Sequence, residues 1–391
     1  MEREPDQVSR AERTPGEHRD ASAGPATATA IGNTTAWPAG PPLLEVADLH
    51  TQYPVRRGLV GTLSRRPRRV VRAVDGISFS LRKGEMVALV GESGCGKTTT
   101  AQTVLRLVEP TSGSIRLNGA DITRLSQREL RPLRRSMQMI YQDPYESLDP
   151  RFRVRQAVEE PMLIHSVGNR ADRRERIVAA LNRAELSPPH LFMDRFPHEL
   201  SGGQRQRVAI AASLVLDPEL LVADEPVSML DVSVRAGVLT LLDGLRRTGK
   251  MGVLMITHDL STAAHFADRI AVMYLGKIVE LGAARQVIRD PLHPYTRALL
   301  SVVPKRDPRD RSKPRILQGE TPDPITIPRG CRFHPRCPVV ASGRAAQLGE
   351  ESRCRQEIPP LAELRPGHFV ACHVAARTLG RPEHEGELAD G

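Results

Sequence analysis

The sequence predicts an α/β protein, a mostly parallel sheet with helices on both faces, followed by a smaller appendage of different texture. Three observations carry that expectation. Apolar strand-like runs alternate with helical stretches from about residue 44 to residue 290, the order that parallel strands joined by crossover helices require. One run opens directly into "GESGCGKTT", Gly91 to Thr99, which places three glycines, a lysine and several hydroxyls between a strand and a helix. After Asp290 the alternation gives way to a proline- and arginine-rich stretch carrying four of the five cysteines.

Bulk composition narrows the function classes. A chain of 391 residues with 40% hydrophobic and 26% charged residues has the balance of a soluble globular protein of two or three domains. It contains no apolar run long enough to cross a bilayer. The net charge of +10 invites a nucleic-acid partner, yet only 3% of residues are aromatic, which leaves little for base stacking. Much of the excess is local, in Arg56, Arg57, Arg65, Arg66, Arg68, Arg69 and Arg72. A solvated loop or one facing anionic lipid accounts for that cluster as well as RNA does, so no nucleic acid is expected. Glu2, Glu4 and Asp6 with no apolar run behind them do not make a secretory signal. The chain is therefore expected in the cytosol, where disulfides would be unusual.

In chain order, residues 1–42 are rich in Ala, Pro, Gly and Thr without periodicity and read as a disordered extension. "LLEVADLHTQY" alternates as a strand does, and "VDGISFSLRKGEMVALVG" gives two strands around a Lys83-Gly84 turn. A helix is expected from Thr98 to Val108, stopped by Pro110. Mostly helical character follows between about Phe152 and Pro197, then a turn and helix at "LSGGQRQRVAIAASL" and an apolar strand at "ELLVADEP". A helix from Val232 to Arg247, a strand at "GVLMITHD" and strands around "RIAVMYLGKIVEL" complete the alternation. The expected division is 43–290 for the main domain, with a helical part at about 145–200, then 291–378 for the appendage and 379–391 for a loose tail.

Gly91, Gly96, Lys97 and Thr98 satisfy GxxxxGK[ST] in the required context of strand before and helix after. Glycine lets the backbone approach phosphates and turn its N–H groups inward. In this reading Glu92, Ser93, Gly94, Cys95 and Thr99 complete the cradle, Lys97 supplies charge to the β and γ phosphates, and Thr98 supplies a hydroxyl to Mg²⁺. Asp224 and Glu225 end an apolar strand, where adjacent acids are otherwise costly. Asp224 suits a metal anchor and Glu225 an activator of water. Leu200, Ser201, Gly202, Gly203 and Gln204 stand directly before a helix, as a cap with a second set of N–H groups.

This ordered set resembles the nucleotide-binding subunits of ABC transporters over about residues 44–300. The resemblance implies a P-loop ATPase fold with a RecA-like core, an antiparallel β subdomain and a helical subdomain. It also implies ATP and Mg²⁺, the ion held through Thr98, Gln142 and Asp224. Tyr53 corresponds to the aromatic stacked on adenine, the alternative being an ordinary strand aromatic. Gln142 in "IYQDPYESLDP" corresponds to the glutamine loop, His258 in "ITHDL" to the switch histidine, and Asp231 in "SMLD" to the loop coupling opposed subunits. Glu225, His258 and Gln142 are the expected catalytic set. Two cassettes, a copy or a paralogue, would stand head to tail, with ATP between the Lys97 loop of one and the Leu200–Gln204 segment of the other. Ala212 and Met229 depart from the usual Arg and Ala of the family.

Within that family, "QDPYESLDPR", "DPLHPYTRALL" and "GCRFHPRCP" resemble the oligopeptide, dipeptide and nickel importers. The resemblance implies an ATPase at the cytoplasmic face of the membrane, two permease subunits and, indirectly, an extracellular binding protein, with short peptides as the favoured cargo. Nickel, another solute or drug efflux are the alternative cargoes, and a soluble ABC protein acting on ribosomes or DNA is the rival of another class. For Cys331, Cys337, Cys354 and Cys372 the resemblance favours a [4Fe–4S] cluster, with zinc second and unligated thiols the remaining alternative; His334 and His373 flank the set as substitute zinc ligands.

Overall fold

The computed structural model describes residues 41–55, 69–302, 317 and 319–379. The expected N-terminal extension up to residue 40, the insertion from Arg56 to Arg68 and the tail from 380 lie outside the described residues.

Twelve strands are described: β1 (Leu44–Pro54), β2 (Val70–Leu81), β3 (Met86–Val90), β4 (Ser112–Leu117), β5 (Ala120–Asp121), β6 (Met137–Ile140), β7 (Leu220–Asp224), β8 (Gly252–Thr257), β9 (Arg269–Tyr274), β10 (Lys277–Ala283), β11 (Ala362–Arg365) and β12 (His368–Val370). They form a four-stranded sheet in the order β2-β1-β4-β5 and an eight-stranded sheet in the order β11-β12-β10-β9-β3-β8-β7-β6. The first is antiparallel throughout, with Leu44 opposite Leu81 and Leu117 on its two neighbours. In the second, β9, β3, β8, β7 and β6 run parallel. Every residue of β3, β7, β8 and β9 is buried, as strands covered on both faces must be, and this is why they read as unbroken apolar runs. The Lys83-Gly84 turn has a hairpin's sequence, yet the two strands it joins belong to different sheets.

The helices Lys97–Val104, Gly202–Leu214 and Val232–Arg247 pack against the parallel core. The first is shorter than expected. It ends at Val104 because Leu105 leaves helical geometry and buried Arg106 turns into the left-handed region at φ 55°. The Arg106 side chain is drawn out of the helical path by the Ile122 carbonyl, to which its Nε donates at 3.1 Å. The stretch from Phe152 to Pro197 carries the helices Val154–Ile164 and Arg170–Arg183, the second opened by an Asn169–Asp172 capping box.

The C-terminal residues continue the core sheet. β12 pairs with β10, Glu280 facing Val370, and β11 pairs with β12. The junction is organised by Glu280, which is fully buried and accepts from the Leu292 N–H (2.8 Å), the His293 N–H (3.0 Å) and, on its other side, pairs with His368 Nε2 at 2.7 Å. Burial opposes the charge on Glu280, and the hydrogen bonds from His368 and these amides outweigh it, holding the carboxyl below its usual range.

Candidate functional site

Strand β3 delivers the chain to Gly91 at the edge of a cleft of about 460 Å³. A Cβ on Gly91 would stand 2.2 Å from the Met273 carbonyl oxygen, so no other residue fits this turn. Gly96 caps the helix Lys97–Val104 with φ 107°, and a Cβ there would meet the Ala73 carbonyl at 2.0 Å. The Lys97 ammonium curls back onto its own loop, donating to the carbonyls of Gly91 (2.8 Å) and Glu92 (2.9 Å). Lys97 is buried, whereas Ser93, Gly94 and Thr98 face solvent.

Opposite the loop, β7 ends at Asp224. Thr98 Oγ1 donates to Asp224 Oδ1 at 3.4 Å, which brings the hydroxyl and carboxylate proposed for a metal to one point. Burial pushes the Asp224 carboxyl up, Glu225 adds to this, and the Thr98 hydrogen bond opposes it. These are hard oxygen donors, suited to Mg²⁺ in the presence of phosphate oxygens. Glu225 follows with φ 45°, a strained value for a residue with a side chain, and its N–H is held by the Ile256 carbonyl at 3.0 Å. Its Oε2 gathers two groups from distant elements: Gln142 Nε2 donates to it at 3.1 Å, and His258 Nδ1 lies 3.2 Å away. Asp259, next to that histidine, accepts from the Ser261 N–H at 2.8 Å and fixes the start of the helix Leu260–Phe266.

The cleft is lined by Tyr53, Val71, Arg72, Ala73, Ser93, Gly94, Gly96, Lys97, Thr98, Thr99, Gln142, Glu225, His258, Leu275, Gly276 and Pro324. Tyr53 and its cross-strand neighbour Val71 form one end, so the small antiparallel sheet closes the cleft. The Leu200–Gln204 segment and Asp231 do not line it. Ser201 caps the helix Gly202–Leu214, its hydroxyl accepting from the Gln204 N–H at 3.3 Å while Gln204 Oε1 accepts from the Ser201 N–H at 3.1 Å. Asp231 occupies the N-cap position of the helix Val232–Arg247, its carbonyl accepting from the Val234 and Arg235 N–H groups while its side chain makes no cap hydrogen bond.

Some contacts of the phosphate loop have no counterpart in the sequence reading. Tyr295, in the helix Pro294–Ser301, accepts the Glu92 N–H on its hydroxyl at 3.0 Å. The Glu92 carboxylate is gripped by Arg336 through Nη1 (2.8 Å) and Nη2 (3.2 Å). Leu275, Gly276 and Pro324 were also not foreseen as cleft walls. The "HPYT" motif was visible as a string; nothing in its composition pointed 203 residues back to Glu92.

Cys331, Cys337, Cys354 and Cys372 line one small cavity with His293, His334 and His373, and none forms a disulfide. Burial, with neighbouring thiols adding to it, pushes Cys331 and Cys372 up to about 12 and Cys354 up to about 11. One ring nitrogen of His334 engages the Cys331 carbonyl and one of His373 the Glu357 carbonyl. Among the described residues no group of three or more His, Cys, Asp or Glu is arranged to hold a metal ion.

The phosphate loop on a parallel sheet, the acidic strand end and the capped Ser201 helix define an ATP-binding cassette. Residues 74–228 match the ABC transporter family model, and residues 279–343 match the oligopeptide/dipeptide transporter C-terminal region. The chain is 45% identical to the oligopeptide transport ATP-binding protein AppF of Bacillus subtilis over 85% of its own length and 97% of that protein. It is 44% identical to a putative peptide import ATP-binding protein of Brucella ovis with the same coverage. Among solved structures it resembles the ATP-binding cassette MJ0796 in a dimeric post-hydrolysis state bound to ADP and phosphate, with TM-score 0.54, 28% identity and coverage of 62% of this chain and 99% of that one. CbiO1 of Clostridium perfringens, part of a cbiONQ transporter complex, gives TM-score 0.54, 27% identity, 64% and 91% coverage. The chain belongs to the family of ATP-binding subunits of oligopeptide/dipeptide ABC transporters, and as an ABC ATPase it uses ATP with Mg²⁺. Among the described residues no helix is long and apolar enough to cross a membrane.

Proposed function

We propose that this chain is the ATP-hydrolysing subunit of an importer of short peptides, bound peripherally at the cytoplasmic face of the membrane. The observation that carries the hydrolytic reading is the convergence of Gln142 and His258 on one oxygen of Glu225, across the cleft from Lys97. Lys97 exchanges the Gly91 and Glu92 carbonyls for the β and γ phosphates of ATP. Thr98, Asp224 and Gln142 would hold Mg²⁺, which would neutralise phosphate charge. Glu225 polarises the attacking water, and Gln142 and His258 orient the water and the γ phosphate. Tyr53 stacks on the adenine at the other end of the cleft.

The Ser201–Gln204 segment opens a capped helix and does not line the chain's own cleft. In this reading it completes the site of a second cassette placed head to tail, with Asp231 coupling the two. Two permease subunits complete the transporter, and the peptide reaches them from an extracellular binding protein that this chain does not touch. A groove lined by Tyr141, Leu148, Phe152, Ala157 and Ala212 lies next to Gln142 in the chain and suits a permease loop. Peptide cargo is supported by the matched C-terminal region and by the names of the relatives.

The four cysteines are proposed to hold a [4Fe–4S] cluster, with zinc as second choice. Support comes from four undisulfided thiols around one cavity. Zinc keeps second place because His334 and His373 each use one ring nitrogen on a backbone carbonyl, the contact that orients the other nitrogen of a metal-binding histidine. Iron and acid-labile sulfide in stoichiometric amounts in anaerobically purified chain are the expected finding, and a chain carrying neither would remove the cluster.

The function is tested by pull-down of the tagged chain from detergent-solubilised membranes, with mass spectrometry of what copurifies. Two permeases, a second cassette and a peptide-binding protein are expected. Ribosomal proteins, or permeases of an efflux system, would overturn the importer.

A further inference from the structure

Glu92 is tied to the rest of the molecule at three points. Its carbonyl accepts from Lys97 inside the phosphate loop, its amide donates to the Tyr295 hydroxyl, and its carboxylate is held by Arg336 and by Thr321 Oγ1 at 2.9 Å. The last two ties come from the C-terminal segment. Arg336 is nearly buried, with 8% of its side chain exposed, and its Nη1 also donates to Thr321 at 3.2 Å. Its guanidinium lies 6.0 Å from the Tyr274 ring. Tyr274 belongs to an aromatic cluster with Tyr295 and Phe333, the ring centroids 4.7 to 5.4 Å apart. Phe333 and Arg336 stand between Cys331 and Cys337, and Pro324 of the same segment forms part of the nucleotide cleft wall.

We propose that Arg336 is a positioning residue for nucleotide binding: through its two-pronged grip on Glu92, the C-terminal segment holds the first turn of the phosphate loop in the shape that accepts ATP. The geometry favours support over inhibition. The grip is on the carboxylate of Glu92, a residue that does not line the cleft, and leaves its carbonyl to Lys97. Gly94, two residues on, stands in open space, with no atom within 4 Å of where a Cβ would stand. A loop with one free end samples more conformations, and nucleotide binding must then bear the ordering entropy. A forked, charge-assisted contact to a carboxylate suits such a restraint, and lysine reproduces the charge but not the fork.

The inference rests on the phosphate-loop reading of Lys97, so both are tested together on the full chain. The probe is a fluorescent ATP analogue with Mg²⁺, and melting without nucleotide is measured in parallel. Arg336→Ala is expected to raise the Kd about tenfold, Arg336→Lys about threefold and Thr321→Val about twofold, with Tm nearly unchanged for the last two. In a Glu92→Gln background, Arg336→Ala is expected to add less than twofold, since the charged partner is already gone. Lys97→Ala serves as control and should abolish binding. A lowered Tm with unchanged Kd for all three C-terminal variants would make Arg336 merely structural and overturn the proposal. The same tenfold effect with and without Glu92 would also overturn it, as would tighter binding. Full binding by Lys97→Ala would instead remove the loop reading beneath it.

Discussion

His293 offers a test of how the C-terminal segment is joined to the cassette, because burial is what holds its ring neutral. The residue is 1% exposed, caps the helix Pro294–Ser301 by accepting the Tyr295 N–H on Nδ1 at 3.1 Å, and packs on Phe333 with ring centroids 5.6 Å apart. An imidazole that accepts at Nδ1 cannot be protonated there. Burial pushes its pKa down to about 4 from an ordinary 6.5, and the nearby Glu280 charge opposes this only in part. The folded pKa is depressed, so below pH 6.5 the unfolded chain binds a proton that the folded chain refuses. Stability is complete above pH 6.5, falls as the pH descends and levels off near pH 4. At about 1.4 kcal/mol per unit, the loss between pH 8 and pH 5 comes to roughly 2 kcal/mol. Glu280, also depressed, loses its contribution only below its ordinary value of 4.5, outside this window. The perturbation is His293→Asn, which keeps a capping acceptor and removes the titration. Urea unfolding of both chains followed by circular dichroism at pH 8 and pH 5 gives four free energies. The variant is expected to be weaker at pH 8 by about 1–2 kcal/mol, for lost packing on Phe333, yet to lose roughly 2 kcal/mol less on acidification. Equal acid losses in the two chains would refute a neutral, buried His293.

Under the proposed roles, Glu225→Gln should retain ATP binding and lose hydrolysis by about two to three orders of magnitude, read as phosphate release at saturating nucleotide. Lys97→Ala should lose ATP affinity itself, and unchanged binding by equilibrium dialysis would contradict its place at the phosphates. Gly96→Ala should both destabilise the chain by about 2–4 kcal/mol and abolish binding, because the Cβ meets the Ala73 carbonyl in a left-handed turn; a stable, ATP-binding variant would show that the loop can shift.

What was legible in the sequence follows the range over which its physics acts. The strands β3, β7, β8 and β9 stood out because burial on both faces demands unbroken apolar runs, and the phosphate loop stood out because its turn tolerates only glycine at Gly91 and Gly96. The helix after it was overextended, since the side-chain anchor that turns Arg106 lies on Ile122, outside the helical pattern. β11 and β12 were invisible: four and three residues are too few to show a period, and they pair only because β10 offers a free edge. The hold of Arg336 on Glu92 spans 244 residues and depends on one salt bridge, which leaves no trace in local composition. The cysteines were conspicuous as a set, but their spacing carries no ligand.

The C-terminal segment and the cassette depend on each other. The segment is rich in proline, and its described residues form short helices and two short strands with little apolar surface of their own to bury. Its anchor is Phe333, fully buried against Tyr274 of the core sheet and Tyr295 of the intervening helix. Burying such a ring is worth about 2–3 kcal/mol, and each aromatic pair adds about 1 kcal/mol more. Those same rings stand behind the phosphate loop: Tyr295 takes the Glu92 amide, and Arg336, three residues after Phe333, takes the Glu92 carboxylate. Tyr274 comes from β9, which pairs directly with the β3 strand leading into Gly91. Cys331 and Cys337 flank in sequence the two side chains, Phe333 and Arg336, through which the segment meets the core rings and the phosphate loop. Joining the two through buried rings rather than a surface contact makes the cysteine-bearing segment part of the structure that shapes the nucleotide site.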